Sequence, residues 1–147
     1  MASNQTSSQA SSQALFDELS YYTLAQPRSS FIHQVAIDTF TAQQADETTK
    51  AIAVVFALVG LYLHVERNFT GLQVQKVHMQ LAGRRKEWPL LPLPQERGAI
   101  EVADALAAAP GPERDAMIER WCASVWGAWE GSRAAIAELL QEELDIR

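Results

Sequence analysis

Ala51 to Leu63 reads AIAVVFALVGLYL, thirteen residues without a charge. A helix that crosses a bilayer needs about 18 or more apolar residues, so this run is too short to span one. It predicts instead a core helix, from Glu47 to about Asn68 with Asp46 as its N-cap, apolar on nearly all sides and therefore surrounded by other helices. Ala53, Ala57 and Gly60 make one line of small residues along it, which predicts that a neighbour approaches closely.

The segments on either side read as helices too. Downstream, Asn68 to Gly71 is a turn. Thr70 with Gln73 three residues on forms a capping box that opens a further helix, ending near Gly83. A loop this short predicts an antiparallel hairpin, with Val74, Val77, His78 and Leu81 on one face of its second arm. Upstream, Leu15 to Ala25 is a helix stopped by Pro27. A second helix capped by Ser29 or Ser30 runs to about Gln44, with Ile32, Val35, Ala36, Thr39, Phe40 and Gln43 at helical spacing.

Beyond the hairpin, EWPLLPLPQERG carries three closely spaced prolines and predicts an extended crossing pinned by Leu90, Leu91 and Leu93. Residues 100–108 suit a short helix. A long C-terminal helix then runs from Pro112 to about Leu144, with a kink at Gly131 and Ser132. No window alternates as a strand does and no repeat is present. The fold class is therefore all-α: a bundle of four to five helices with a Pro-rich extended crossing and a long C-terminal helix. Residues 1–14, MASNQTSSQASSQA, are expected as a flexible Ser/Gln-rich tail on a single helical domain of residues 15–147.

Composition narrows the function classes. The 147 residues, 48% hydrophobic, suit one compact domain, and a net charge of -6 disfavours nucleic acid and membrane surfaces as partners. The lone Cys122 permits no internal disulfide, and residues 1–14, without a basic start or an apolar stretch, are not expected to be a secretory leader. The chain is expected to start at or near Met1 and to reside in the cytoplasm. The scattered glycines write neither a dinucleotide loop nor a phosphate loop, and no nucleophile elbow or HExxH phrase occurs. Arg84, Arg85 and Lys86 complement the negative end of the helix before them. Trp121, Trp126 and Trp129 read as packing residues, and Cys122 as a small buried hydrophobe.

His33, His64 and His78 all fall inside predicted helices. With the hairpin centred near residue 69, His64 lies opposite Gln75, and His78 is about 4.5 Å further along, so both could reach one centre. With His33 from a neighbouring helix they could hold a divalent transition metal, zinc first, with Glu66 or Asp38 as general base or as a partner behind the ligands. Against this, His33 and Asp38 point ~140° apart on their helix. The alternatives are a structural network, in which each histidine bonds a neighbour such as Asp38, Glu66, Gln34 or Tyr22, and a metal-free polar pocket.

The stretches SYYTLAQ, FIHQVAIDTFTAQQADETTKAIAVVFALVGLYLHVERNFTG, VQKVHMQLAGRRKEWP, LPLPQERGAI and GPERDAMIERWCASVW resemble a bacterial family described only as a domain of unknown function, over about Leu15 to Trp129. The phrase H-x4-D-x4-Q is met by His33, Asp38 and Gln43, and L-x-L-H-x-E by Leu61, Leu63, His64 and Glu66. The resemblance implies kinship and no activity. The positions it carries over are these, together with Arg67, His78, Trp121 and Cys122. Other members have a histidine where this chain has Gln26 or Val35, and longer ones add a Cys-rich N-terminal stretch. Ser and Gln stand there in this chain, which argues against a Cys-ligated metal.

Two functions follow as expectations. The first is a non-enzymatic domain that binds a protein partner or a second copy of itself through the Trp-rich C-terminal helix. The second is a metal-dependent hydrolase or transferase with His33, His64 and His78 as ligands, in which Gln43, Arg67, Trp121, Cys122 and Trp126 line the pocket or core.

Overall fold

A computed structural model describes residues 2–26, 29–84 and 87–147, with side chains for 11–26, 32–84 and 87–147. Among these residues there are seven α-helices and no strand: α1 (Ala2–Leu24), α2 (Ser29–Gln44), α3 (Ala51–Arg67), α4 (Gly71–Arg84), α5 (Val102–Ala107), α6 (Pro112–Ala128) and α7 (Arg133–Leu144). One turn of 3-10 helix, Glu130–Ser132, joins the last two. None of the helices is long and apolar enough to cross a membrane, among the described residues.

The apolar run is the centre of the molecule. α2, α4, α6 and α7 all pack on α3, which is why its apolar residues are not confined to one stripe. It starts at Ala51, later than the sequence suggests, because Asp46 caps a turn and not the helix. Asp46 Oδ1 accepts the Thr48 N–H at 2.8 Å and the Thr48 hydroxyl at 2.6 Å, while the Asp46 N–H donates to Thr49 Oγ1 at 3.0 Å. At its other end Asn68 adopts the left-handed conformation (φ 58°), and the Phe69 N–H closes on the Leu63 carbonyl at 3.0 Å. Thr70 and Gln73 then form the expected capping box at 2.8 and 3.2 Å and open α4.

The predicted close approach occurs at Gly60. The buried carboxyl of Asp38 on α2 lies against it, and a methyl group there would overlap Asp38 Oδ2. Since α2 also packs on α1, α4 and α6, this contact fixes the position of a helix that four others share.

Three expectations change. α1 begins at Ala2, so the stretch expected as a flexible tail is, from Ala2, the first part of that helix. Leu15, Phe16 and Leu19 anchor it to the core. Ala and Gln are good helix formers, and propagation from an anchored turn costs less than nucleation. The long C-terminal helix is two helices. It breaks where the kink was expected, with Trp129 buried at the break and its indole N–H on the Ala42 carbonyl at 3.2 Å. Of the three crossing leucines, Leu91 packs on the core while Leu90 is 88% exposed, since an extended chain cannot point consecutive side chains to one side.

The crossing is instead held by Arg97. Its guanidinium donates to the Ala42 and Ala45 carbonyls at 3.3 and 2.7 Å, satisfying acceptors at the C-terminal end of α2, and lies 5.4 Å from the Trp129 ring centre. Pro27, the side chains of Ser29 and Ser30, and Arg85 and Lys86 lie outside the described residues.

Gly60→Ala is expected to destabilise the bundle by about 3 kcal/mol, the upper part of the range for overpacking, because the added carbon meets a carboxyl with nowhere to retreat. The shift of the urea unfolding midpoint measures it; an unchanged midpoint would mean that α2 and α3 do not meet there.

Candidate functional site

Each histidine has its own partner. His33 Nδ1 lies 3.0 Å from Thr23 Oγ1. The Thr23 hydroxyl donates to the Ser20 carbonyl at 3.1 Å, so the imidazole N–H is the donor to Thr23. His78 Nε2–H donates to the Phe56 carbonyl at 2.8 Å, and the ring stacks on Phe56 with centres 5.0 Å apart. His64 Nδ1 faces the Phe69 carbonyl and its Nε2 faces Glu119 Oε2, both at 2.7 Å. His33 and His78 have lowered pKa values, mainly through burial.

These positions do not make one centre. His78 reaches α3 at the level of Phe56, eight residues before His64 and roughly 12 Å along the axis. The hairpin therefore turns near Arg67, and His64 stands beside Phe69 and Thr70, not Gln75. Among the described residues, no group of three His, Cys, Asp or Glu side chains could hold a metal ion.

Asp38 sits in the core between α2, α3 and α4. Its Oδ1 accepts the Gln34 amide at 3.0 Å, and the Gln75 amide donates in turn to Gln34 Oε1 at 3.3 Å. Oδ2 is buried without a hydrogen-bond partner among the described residues, 3.9 Å from His78 Nε2. Burial raises the Asp38 pKa well above the usual carboxylate range, more than the Gln34 bond lowers it.

Glu66 stands elsewhere, on the outer end of α3. Arg133 Nε and Nη2 donate to it at 2.9 and 2.6 Å, and the Trp126 indole N–H donates at 2.6 Å. The Arg133 hydrogen bonds hold its carboxyl below the ordinary range, which makes it a poor base. Arg67 points to the Tyr62 hydroxyl at 3.2 Å, so the ion-pair partner of Glu66 is Arg133. Gln43 accepts the Trp121 indole N–H at 2.9 Å and donates to the Ile100 carbonyl at 2.8 Å. Cys122 is fully buried with Thr39 Oγ1 3.0 Å from its sulfur, and burial pushes its thiol far up, away from nucleophilic chemistry.

Trp121, Trp126 and Trp129, read from the sequence as packing residues, are all buried, so the C-terminal helices do not present them as a partner surface. The large apolar side chains that do reach solvent include Leu72 and Met79 on α4, Tyr21 and Leu24 at the end of α1, and Leu90 in the crossing.

A groove of about 460 Å³ is lined by Ile32, His64, Val65, Phe69, Thr70 and Glu119, among others. His64 lines it with both ring nitrogens engaged by oxygens. The Phe69 carbonyl and the Glu119 carboxyl face Nδ1 and Nε2, an arrangement that suits an imidazolium donating through both. Burial lowers the His64 pKa, but the Glu119 and Phe69 hydrogen bonds together outweigh that and raise it. No local pattern in the sequence marks Glu119, Arg133 or Arg97, because their partners lie 52 to 67 positions away.

Residues 4–130 match the model of a family of unknown function, DUF5946, and the chain belongs to that family. Comparison with curated proteins and with solved structures gave no match.

The His64–Glu119 pair gives a signed pH dependence. Because the folded pKa of His64 lies above its unfolded value of about 6.5, its contribution to stability is complete below that pH and is lost as pH rises through the folded pKa. Glu119→Gln is expected to flatten this alkaline loss in urea midpoints. The change stays under about 1 kcal/mol because Glu119 is 57% exposed. An unaltered pH profile in the variant would show that the pair does not form.

Proposed function

We propose that this chain is a non-enzymatic helical domain of the cytoplasm that acts through protein contacts, with another protein or with a second copy of itself. Its histidines serve as internal ties. The observation that supports this reading is the engagement of the side chains best suited to chemistry. His33 is bonded to Thr23, His78 to the Phe56 carbonyl, Glu66 to Arg133 and Trp126, and Cys122 is sealed in the core. Catalysis requires a base or nucleophile within reach of a substrate, and these groups are turned to the interior or clamped by a cation.

Leu72 and Met79 are seven residues apart and so lie on the same side of α4, two turns from each other. Met79 is 76% exposed, and the pair is a better candidate contact than the C-terminal helices, whose tryptophans are buried. The acidic net charge favours protein over nucleic acid or lipid headgroups as partner.

A metal-dependent hydrolase or transferase has one observation in its favour. His64 Nε2 and Glu119 Oε2 face each other at 2.7 Å beside the groove that His64 lines. Two protein ligands fall short of the three that catalytic zinc sites use.

Sedimentation equilibrium from micromolar to near-millimolar chain, with elemental analysis of the same samples, separates the two readings. The expected result is a mass that grows with concentration, is held back by Met79→Glu, and is accompanied by far less than one metal ion per chain. A strict monomer carrying about one metal ion, lost on His64→Ala, would overturn it.

A further inference from the structure

We propose that Asp38 is the proton-carrying group of a pH-responsive junction between α2, α3 and α4, held as the uncharged acid while the bundle is closed and loosening the junction when its proton leaves. Asp38 is 4% exposed. Its Oδ1 takes one amide hydrogen bond from Gln34, and its Oδ2 has no hydrogen-bond partner among the described residues. A buried carboxylate needs several donors or a cation in contact, and one neutral amide is far short of that.

The groups facing it leave the charge uncompensated. From α3 the neighbour is Gly60, which offers no side chain. From α4 come Val74, the neutral Gln75 through Gln34, and His78. His78 is the nearest group able to carry positive charge, but its Nε2 is 3.9 Å from Oδ2 and its hydrogen points to the Phe56 carbonyl. From α6 the titratable neighbour is Cys122, a thiol that would only add repulsion if ionised. No lysine or arginine pairs with Asp38 among the described residues.

Burial favours the uncharged form of both partners, raising the Asp38 pKa and lowering that of His78, so the junction holds two neutral groups and not an ion pair. Gly60 keeps the helices close as well. The carboxyl lies against the α3 backbone, with no room for even a methyl group between them, and stays out of water while α2 and α3 are in contact. Ionisation and separation of the helices are therefore linked.

The sign is fixed by linkage. Because the folded pKa of Asp38 is raised above its unfolded value of about 3.9, the stabilisation from keeping the proton is complete below that pH. It is lost as pH rises through the folded pKa. His78, with a lowered pKa, works in the opposite sense, losing stability as pH falls below about 6.5. Comparison with Asp38→Asn isolates the carboxyl, because the amide keeps the shape and the Gln34 acceptor but cannot ionise.

The test is urea unfolding of the wild-type chain and Asp38→Asn across about pH 4 to 8, with ¹³C NMR of the Asp38 carboxyl carbon in the wild-type protein. The ratio of the wild-type to the variant folding constant is expected to fall about tenfold per pH unit above ~4, until the folded pKa is reached, and then to level. The carboxyl carbon is expected to titrate far above the ordinary aspartate range. A ratio that does not change with pH, or a carboxyl midpoint near 4, would overturn the proposal. If Asp38→Asn does not fold, the carboxyl midpoint alone decides. A monomer without partners would give the same titration, so failure of the partner reading leaves this result untouched.

Discussion

The meeting of Asp38 with Gly60 sets the separation of α2 and α3, and most of the bundle is arranged around that pair. A residue with a side chain at position 60 would hold the helices further apart. α2 also packs on α1, α4 and α6, so its displacement would reach four other helices. The closeness has a chemical consequence. α2 carries Asp38, Thr39 and Gln43 into the interior, and buried polar groups without partners cost about 1–3 kcal/mol each. The surrounding elements supply most of those partners, and among the described residues Asp38 Oδ2 is left without one.

Each tie runs to a different element. Thr23 on α1 meets His33, Trp121 on α6 meets Gln43, and Gln75 on α4 reaches Gln34. Arg97 in the Pro-rich crossing gathers carbonyls at the end of α2. A set of bonds spread in this way fixes one packing among several that apolar contacts alone would tolerate, and it leaves the histidines apart from one another. Polar side chains in this core thus act on geometry first.

What the sequence makes legible is whatever depends on neighbours in the chain. The apolar run from Ala51 to Leu63, the Thr70–Gln73 box and the small-residue line ending at Gly60 are local patterns, and each has its structural counterpart. The break at Gly131 and Ser132 is local as well, although burial of Trp129 turns an expected kink into two helices. The histidine partners are not local. A hairpin centre displaced by about two residues moves His64 from Gln75 to Phe69, and one residue of helix turns a side chain by ~100°. Glu66 and Arg133 meet only because α7 folds back on α3, and His64 and Glu119 only because α6 does. Tertiary register decides these pairings, and periodicity carries no signal for it.

The central claim is that three histidines sit in three separate environments within one bundle. Long-range ¹H–¹⁵N NMR of the imidazole nitrogens near pH 6 reads all of them in one spectrum. The account predicts a hydrogen on Nδ1 of His33, a hydrogen on Nε2 of His78, and hydrogens on both nitrogens of His64. Metal-shifted nitrogens, or one protonation pattern shared by all three rings, would contradict it.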